Sequence, residues 1–397
     1  MTTKSVLADR LRGVESSPTL ALAAKAKALQ RAGSPVLDLT AGEPDFPTPD
    51  SVKRAGIAAI ERNETRYTPA AGTPELRSAL ASHLSQRLGI AYTPAQIVVS
   101  CGAKHALYNL VQVLCQPGDE VMIFSPYWVS YVPMVRLAGA TPVLVPLGEA
   151  NRFQPDMAVV RAAVTERTKA MILNSPSNPT GMLIERARLM ELATLALERD
   201  LIIISDEIYD QLVYPPHQAC SIVQAQPRVA DRTVLVNGVS KTYSMTGWRI
   251  GYSAGPQPIT EALIALQSHS TSNPTSISQH AALEAITGDQ APVARMAEAF
   301  HQRRDRLVNG LNRLPGLSCV MPHGAFYAWC HIGCLGQRAE VIASRWLEEA
   351  LVAVVPGEGF GSAQHVRFSF AAPAQIIDEA LSRLQRWLEQ EVKTRNS

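Results

Sequence analysis

The sequence predicts an α/β fold in which a mostly parallel β-sheet is sandwiched by helices, and three observations support this. Short runs of Val, Ile and Leu alternate with helix-like segments through the middle of the chain. These runs are continuously apolar, as in strands that are buried on both faces of a sheet. At 397 residues, the chain also exceeds one ordinary hydrophobic core, so a second, smaller domain is expected.

Six strands are predicted in chain order, mostly with helical segments between them. They are IVVS (97–100), VMIF (121–124), PVLVP (142–146), MILN (171–174), LIIIS (201–205) and VLVN (234–237). GAKHALYNLVQVL is predicted to be a helix, and so is ELATLALERD, which places Leu192, Leu195 and Ala196 on one face. Ligands of such sheets bind beyond the carboxyl ends of the strands, so the residues that follow each run are candidates for function.

The pattern changes after about residue 290, and a smaller α+β domain is predicted there. A long basic helix, VARMAEAFHQRRDRLVNGLNRL, leads to a short strand around AFYAWC. Helix AEVIASRWLEEAL, strand VAVVP, strand HVRFSF and a terminal helix follow. PGEGFG lacks a third glycine at the spacing of nucleotide-binding motifs, so we predict a turn there.

Composition and charge argue against several classes of protein. The net charge is +2 with scattered Lys and Arg, so neither nucleic acid nor a membrane surface is expected as a partner. No run approaches the roughly 18 apolar residues of a membrane span, and the start lacks a signal-peptide core, which indicates a cytoplasmic protein. Six irregularly spaced cysteines indicate reduced thiols. No metal site is expected, because Cys330 and Cys334 have no second ligand pair nearby and HExxH is absent.

Two strand ends offer sites for a phosphate and for a planar ring. After IVVS, residues Gly102, Ala103 and Lys104 open a helix whose free N–H groups and dipole can hold a phosphate, although a tight strand-to-helix turn is the favoured explanation of this segment taken alone. After VMIF comes Trp128, which can stack on a planar ring or belong to the core.

Three further strand ends carry polar and charged side chains. Asn178 follows MILN between a serine and a proline, and turn propensity alone does not explain an amide fixed so rigidly. Asp206 follows LIIIS, with Tyr209 close by; a carboxylate there is costly to bury unless it meets a cation, although a helix N-cap is the alternative. The residues after VLVN include Ser240, Lys241 and Arg249.

One ligand, pyridoxal 5′-phosphate (PLP), accounts for all of these groups together. Its aldehyde needs a lysine, for which Lys241 is the candidate Schiff-base residue. Its ring nitrogen needs a carboxylate, its phenolic oxygen needs donors such as an amide and a tyrosine, and its ring needs a stacking partner. Its phosphate needs an arginine, hydroxyls and a helix N-terminus.

The chain resembles the class I aminotransferases of the aspartate aminotransferase fold (fold type I), most closely the bacterial aspartate aminotransferase subfamily. The matching stretches are LTAGEPDFPTP (39–49), RYTPAAGTPELR (66–77), SPYWVSY (125–131), NSPSNPTG (174–181), SDEIYD (205–210), SKTYSMTGWRIGY (240–252) and HVRFSF (365–370). The resemblance implies a large PLP-binding domain at 49–288 with a seven-stranded sheet. It also implies a small domain at 289–397, completed by an N-terminal arm at 1–48, and a homodimer with shared active sites.

The resemblance also implies roles for individual residues. Asp206 would hold the ring nitrogen, Tyr209 and Asn178 the ring oxygen, and Trp128 would lie against the ring. The phosphate would be held by Ser240, Arg249, the backbone of Gly102, Ala103 and Lys104, and Tyr67 from the partner subunit. The amino acid's α-carboxylate would meet the backbone of Gly42 and a bidentate Arg367, and Lys241 would move the α-proton in a ping-pong reaction.

Aspartate or glutamate with a 2-oxo acid such as 2-oxoglutarate is the favoured substrate pair. In the subfamily, a side-chain carboxylate is bound by residues that match Lys104, Ser17 and Thr19. Prephenate, aromatic or alanine aminotransferases, and other fold-type I PLP enzymes such as carbon–sulfur lyases, stay open as alternatives. So do a Schiff-base aldolase on a TIM barrel and a non-catalytic regulator, although the barrel would not need Asp206, Arg249 and Trp128 together.

Overall fold

A computed structural model describes residues 8–11, 14 and 18–396, without the side chains of 18–23 and 392–396. Its strands are β1 (Leu37–Asp38), β2 (Ile97–Ser100), β3 (Glu120–Ser125), β4 (Thr141–Pro146), β5 (Thr168–Asn174), β6 (Ile202–Asp206), β7 (Thr233–Gly238), β8 (Gly251–Ala254), β9 (Ser318–Cys319), β10 (Tyr327–His331), β11 (Val352–Ala353), β12 (Val355–Pro356) and β13 (His365–Ser369).

The α-helices of the same part of the chain lie mostly between these strands. They are α1 (Pro18–Arg31), α2 (Asp50–Glu61), α3 (Pro74–Leu88), α4 (Ala103–Leu114), α5 (Tyr131–Leu137), α6 (Met157–Ala163), α7 (Arg186–Glu198), α8 (Ile222–Ala225), α9 (Gln257–Ser268), α10 (Ser276–Thr287), α11 (Ala291–Leu311), α12 (Ala339–Glu349) and α13 (Ala374–Asn396). None of the helices in the described residues is long and apolar enough to cross a membrane.

The large sheet has seven strands in the order β2-β8-β7-β6-β5-β3-β4. All pairs are parallel except those of β8, which runs antiparallel to β2 and β7. The predicted fold class is therefore confirmed, and all six predicted strands are present. The run Gly251–Ala254 was not among them, because four residues that include glycine, serine and alanine give no apolar pattern.

Helices cover both faces of this sheet, as the continuous apolar runs indicated. Ile203 packs on one face with side chains of α3 and α7, whereas its neighbour Ile204 packs on the other face with side chains of α4 and α5. Both are fully buried, and burial of one such side chain contributes about 1.5–3 kcal/mol to stability. The strands are thereby held rigidly, and Asn174 at the end of β5 lies opposite Asp206 at the end of β6.

A second core forms around the sheet β12-β13-β10-β9, and it contains side chains of α11, α12 and α13. The N-terminal part of the chain joins it, because β1 pairs in parallel with β11. Side chains from the loop after β6, such as Tyr209 and Leu212, are buried in the same core. The predicted VAVVP strand is split between β11 and β12, and PGEGFG forms a short turn of 3-10 helix at Gly357–Phe360. The division at 48/49 and 288/289 stays a prediction.

Candidate active site

A cavity of about 660 Å³ opens at the carboxyl edge of the large sheet, within the size range of small-molecule sites. Its walls come from the strand ends, from the loop after β1 and from β13 of the smaller sheet. The predicted residues that line it are Gly42, Ala103, Lys104, Trp128, Asn178, Asp206, Tyr209, Ser240, Lys241, Arg249 and Arg367. Side chains from remote parts of the sequence are thus brought together in one place.

Lys241 follows β7 and points its ammonium group towards the N-terminal loop. Its Nζ donates a hydrogen bond of 2.6 Å to the carbonyl oxygen of Gly42. The pKa of Lys241 is lowered from 10.5 to about 8, mainly by burial and also by the nearby Arg249 and Arg367, while Glu43 opposes the shift. The neutral amine, which is the form that attacks an aldehyde or accepts a proton, therefore forms nearer to neutral pH than in an ordinary lysine.

Asp206 is the last residue of β6, and its carboxylate is only 4% exposed. Its Oδ2 accepts a 2.6 Å hydrogen bond from the Tyr131 hydroxyl, and its Oδ1 accepts one of 3.3 Å from the Ile208 backbone N–H. Burial raises the pKa of Asp206 to about 6, although the Tyr131 hydrogen bond partly opposes this. A buried carboxylate of this kind is stabilised by a cationic partner in the cavity.

Tyr131 is a site residue that the sequence reasoning did not single out. It begins α5 and is almost fully buried, and its ring packs edge-on against Trp128 with the centroids 5.3 Å apart. It belongs to the matching stretch SPYWVSY, which was the available signal. The hydroxyl of Tyr131 orients the Asp206 carboxylate, so it contributes to the geometry of the site.

Arg367 lies in β13 and is buried to 4% exposure. One terminal nitrogen donates to Asn178 Oδ1 and the other to the Thr40 carbonyl oxygen, both at 3.0 Å. Its guanidinium carbon lies 4.3 Å from the centroid of the Tyr327 ring, and its Nε is buried without a hydrogen-bond partner. The Arg367 guanidinium is therefore fixed in position. Its remaining N–H groups are available to donate to a carboxylate, which arginine binds well in a bidentate geometry.

Two cations lie at the N-terminal end of α4. Arg249 donates to the carbonyl oxygens of Thr246 (2.9 Å) and Cys101 (3.3 Å), and Lys104 is the second residue of the helix. Gly102, the N-cap, has φ +88° and no capping side chain, and a Cβ there would collide with the Arg249 guanidinium. The first N–H groups of a helix have no acceptor within it, and its dipole repels cations, so this arrangement is complementary to an anion.

Aromatic side chains form another wall of the cavity. The hydroxyls of Tyr209 and Tyr327 lie 3.0 Å apart, and both residues are buried. Tyr327 begins β10 and was not predicted, because a tyrosine at a strand start carries no functional signal of its own. The Lys104 ammonium lies 4.9 Å from the centroid of the Trp128 ring, a cation–π arrangement, and burial together with Arg249 lowers the pKa of Lys104.

Of the predicted residues whose side chains the structure describes, Gly102 and Tyr67 do not line this cavity. Tyr67 is 90% exposed and does not line the cavity. Ser17 lies outside the described residues, and the side chain of Thr19 is not described either. Within the described ranges, no group of three His, Cys, Asp or Glu side chains could hold a metal ion.

The chain is similar to aminotransferases over nearly its whole length. Residues 34–384 match the family model of aminotransferases of class I and II. Aspartate aminotransferase of Geobacillus stearothermophilus is 46% identical over 96% of this chain and 99% of that protein. Aspartate/prephenate aminotransferase of Cereibacter sphaeroides is 45% identical over 96% and 98%, respectively. The solved structure of Thermus thermophilus aspartate aminotransferase with maleate matches with a TM-score of 0.93 and 43% identity over 96% of this chain and 99% of that one.

Proposed function

The chain belongs to the class I and II aminotransferase family, and on that premise we propose that it binds PLP around Lys241 and favours aspartate or glutamate as the amino donor. The enzyme moves an amino group between an amino acid and a 2-oxo acid. The observation that carries the proposal is that the amine of Lys241, the acid of Asp206 and the cations at the start of α4 face one cavity.

The residues present fit PLP group by group. When bound, PLP supplies an aldehyde that reacts with amines and a ring that withdraws electrons from the carbon next to the amino group. Arg249, Ser240 and the first N–H groups of α4 would hold its phosphate, which neutralises the cations there. Asp206 would hold the ring nitrogen, and that contact supplies the cationic partner that its buried carboxylate lacks. Trp128 would lie against the ring.

Hydrogen bonds on the other side of the site orient the donors for the ring oxygen. Asn178 accepts from Arg367 through Oδ1, so its Nδ2 hydrogens are available as donors. The Tyr209 hydroxyl can receive the proton of Tyr327 and donate its own into the cavity. We therefore assign both residues to the phenolic oxygen, with Tyr327 positioning Tyr209.

Lys241 would act first as the residue that carries the cofactor and then as the acid–base group. Once an incoming amino acid has displaced it, its Nζ would be free to remove the proton from the substrate's α-carbon and to deliver it to the carbon that carried the cofactor's aldehyde oxygen. The lowered pKa of about 8 keeps a useful fraction of this amine neutral. The Gly42 carbonyl, which accepts from Nζ, keeps the amine directed into the cavity.

Substrate recognition would depend on two cations at opposite ends of the amino acid. Arg367 would bind the α-carboxylate as a planar fork, since the contacts to Asn178 and Thr40 fix its plane. Lys104 would bind the side-chain carboxylate, and its place at the positive end of α4 favours such an anionic partner. Ser17 and Thr19 are proposed to assist, as the resemblance implies.

Prephenate is the second candidate substrate, because it also carries two carboxylates. A cavity of about 660 Å³ leaves room for its ring, and the Cereibacter sphaeroides relative is named an aspartate/prephenate aminotransferase.

We further propose that the working enzyme is a homodimer. Tyr67 is 90% exposed, and Ile57 and Ile60 on α2 are more than half exposed. Ile57 and Ile60 lie three residues apart on one side of α2, and adjoining exposed apolar side chains mark candidate interaction surfaces. In the dimer, Tyr67 would reach the phosphate in the partner's site. Light scattering checks the mass, and a monomer with full activity would exclude the shared site.

The experiment that tests the proposal is an absorbance spectrum of the purified protein followed by substrate titration. We expect a visible band of lysine-bound PLP that disappears on addition of aspartate or glutamate and returns with 2-oxoglutarate. Alanine and phenylalanine serve as donor controls, and prephenate serves as an alternative acceptor. A colourless protein that takes up no PLP would refute the proposal. Equal rates with all amino donors would contradict the proposed preference for aspartate or glutamate.

A further inference from the structure

The segment 206–210 has two sides with different surroundings. Asp206 and Tyr209 line the large cavity, whereas Glu207 and Asp210 line a separate cavity of about 310 Å³ behind the strand ends. The carboxylates of Glu207 and Asp210 are 6% and 5% exposed. Two adjacent residues of the chain thus place one carboxylate on each side of the same segment.

A single arginine, Arg87 near the end of α3, joins both rear carboxylates. Its guanidinium lies 3.2 Å from Glu207 Oε2 and forms a second ion pair with Asp210. Its own backbone carbonyl accepts a 3.0 Å hydrogen bond from Gln224 Nε2, which ties the end of α3 to α8. Arg87 therefore binds to the residues that flank Ile208 and Tyr209, and it fixes this segment against α3.

Serine hydroxyls hold the other oxygen of Glu207. Oε1 accepts from Ser205 at 3.0 Å and from Ser221 at 2.5 Å, so the side chain is fixed on all sides. Loss of one partner of such a buried pair is strongly destabilising, because the remaining charge is left without compensation. The network consequently transmits the position of α3 and α8 to the backbone that carries Asp206 and Tyr209.

The charges of this network also act on Asp206. Burial raises the pKa of Asp206 most and the charge of Glu207 raises it as well, whereas the Tyr131 hydrogen bond and Lys241 lower it. Among the other titratable groups around the network, Cys220 has a pKa raised by burial, and Arg186 donates to Cys220 Sγ and to the Gln224 carbonyl oxygen. Burial raises the pKa of Tyr243 to about 12 and raises that of Tyr92 and Tyr252 as well, and burial lowers the pKa of His83. Arg87 is the cation that pairs directly with the Glu207 carboxylate, and it also pairs with Asp210.

We propose that Arg87 is a positioning residue for amino transfer, which holds segment 206–210 from behind and offsets the negative charge that Glu207 places beside Asp206. The inference rests on the proposed function in one respect, since Asp206 is taken to face the ring nitrogen of PLP. Arg87 itself touches neither cofactor nor substrate.

The test compares PLP-loaded wild type with Arg87→Met, Arg87→Lys and the double variant Arg87→Met/Glu207→Gln. The visible absorbance of each protein is recorded as a function of pH, and it reports the protonation of the nitrogen that joins Lys241 to the cofactor. Titration of each apoprotein with PLP measures its affinity for the cofactor. In Arg87→Met the uncompensated negative charge should raise the titration midpoint by about half a pH unit, as Coulomb's law gives for one charge on the order of 10 Å away. PLP affinity should fall about tenfold, because Asp206 and Tyr209 lose their support.

The two other variants separate charge from shape. Arg87→Lys keeps the charge but cannot bridge two carboxylates as a fork, so we expect a wild-type midpoint and an intermediate affinity. The double variant restores the net charge of the network, so its midpoint should return to the wild-type value. Arg161→Met, which breaks the exposed ion pair with Glu198, serves as the matched control and should change neither quantity.

The proposal is overturned if Arg87→Met matches wild type in both measurements, or if the double variant keeps the raised midpoint. Should Arg87→Met fail to fold, Glu207→Gln alone replaces it; its midpoint should move downwards, and an unchanged midpoint overturns the proposal. A wild-type protein that acquires no visible band with PLP would instead refute the proposed function, and that outcome is distinct.

Discussion

The two halves of the large cavity are built differently. The half proposed for the cofactor consists of Asp206, Ser240, Lys241, Arg249 and the start of α4, and all of these follow or end strands of the single large sheet. The half proposed for the substrate consists of Gly42, the Lys104 side chain and Arg367, and it joins the loop after β1 to β13. The first half depends on one rigid sheet, whereas the second depends on how two cores meet.

This difference suggests that the two halves of the cavity respond differently to substitutions. Residues at adjacent strand ends keep their spacing as long as the sheet is intact. The hydrogen bonds between the strands and the helices that cover both faces of the sheet fix this spacing. Arg367 holds its position through contacts with Asn178 and Thr40, which come from the other core and from the N-terminal segment. Substitutions in the substrate half should therefore alter turnover without releasing the cofactor.

Removal of the Lys241 amine should have the largest effect. Lys241→Ala keeps the phosphate and ring-nitrogen contacts, so PLP should still bind, although without a covalent link. Amino transfer from glutamate should fall by about a thousandfold or more, since a positioned acid–base group contributes about 10²–10⁴-fold. Single-turnover absorbance changes measure the transfer, and equilibrium dialysis measures the cofactor. A variant that transfers amino groups at the wild-type rate would contradict the role of Lys241.

Arg367→Lys tests the separation of the halves most directly. A lysine cannot reproduce the fork or its contacts with Asn178 and Thr40, so kcat/KM should fall about a hundredfold for every amino acid. The affinity for PLP should stay within about twofold of wild type. Steady-state kinetics with aspartate and alanine, together with PLP titration of the apoprotein, give both numbers. A loss of PLP affinity as large as the loss of kcat/KM would show that the substrate half and the cofactor half of the cavity depend on each other.

Lys104→Ala should act on one class of substrate. We expect about a tenfold loss of kcat/KM for aspartate and glutamate, the size of about one charge-assisted hydrogen bond, and little change for alanine. The comparison of donors under the same conditions is the measurement. Equal losses of kcat/KM for alanine and aspartate would show that Lys104 does not bind the side-chain carboxylate and acts only in the cofactor half.

The smallest expected effect concerns the pH dependence of the Lys241 amine in the cofactor-free protein, which tests how strongly the cofactor half perturbs this group. Because its pKa is lowered to about 8, the neutral amine appears as pH rises through 8 rather than through 10.5. The rate of acylation of Lys241, followed by peptide mapping, should be half-maximal near pH 8. Arg249→Met removes a cation that lowers this pKa, so the curve should move to higher pH. A midpoint near 10.5 in the wild type would show that the cavity does not perturb the amine.

Much of the fold and part of the site could be predicted from the residues. The strands with continuous apolar runs were found, since burial on both faces leaves a pattern that the chain itself displays. The run Gly251–Ala254 escaped prediction, because its strand character comes from pairing with β2 and β7 and not from its composition. Tyr131, Tyr327 and Arg87 escaped as site or supporting residues for a related reason: each acts through contacts with residues far away in the sequence.

Six strands of the large sheet, the chemical groups at their ends and the family resemblance follow from the amino-acid sequence, because they depend on residue type and short spacing. The contacts of the Lys241 amine with the Gly42 carbonyl, of Asp206 with Tyr131, and of Arg367 with Asn178 and Thr40 appear only once the chain is folded. The pKa values of Lys241 and Asp206 likewise follow from burial and neighbouring charges. These are long-range effects that no local pattern encodes, since they arise when distant segments exclude water together.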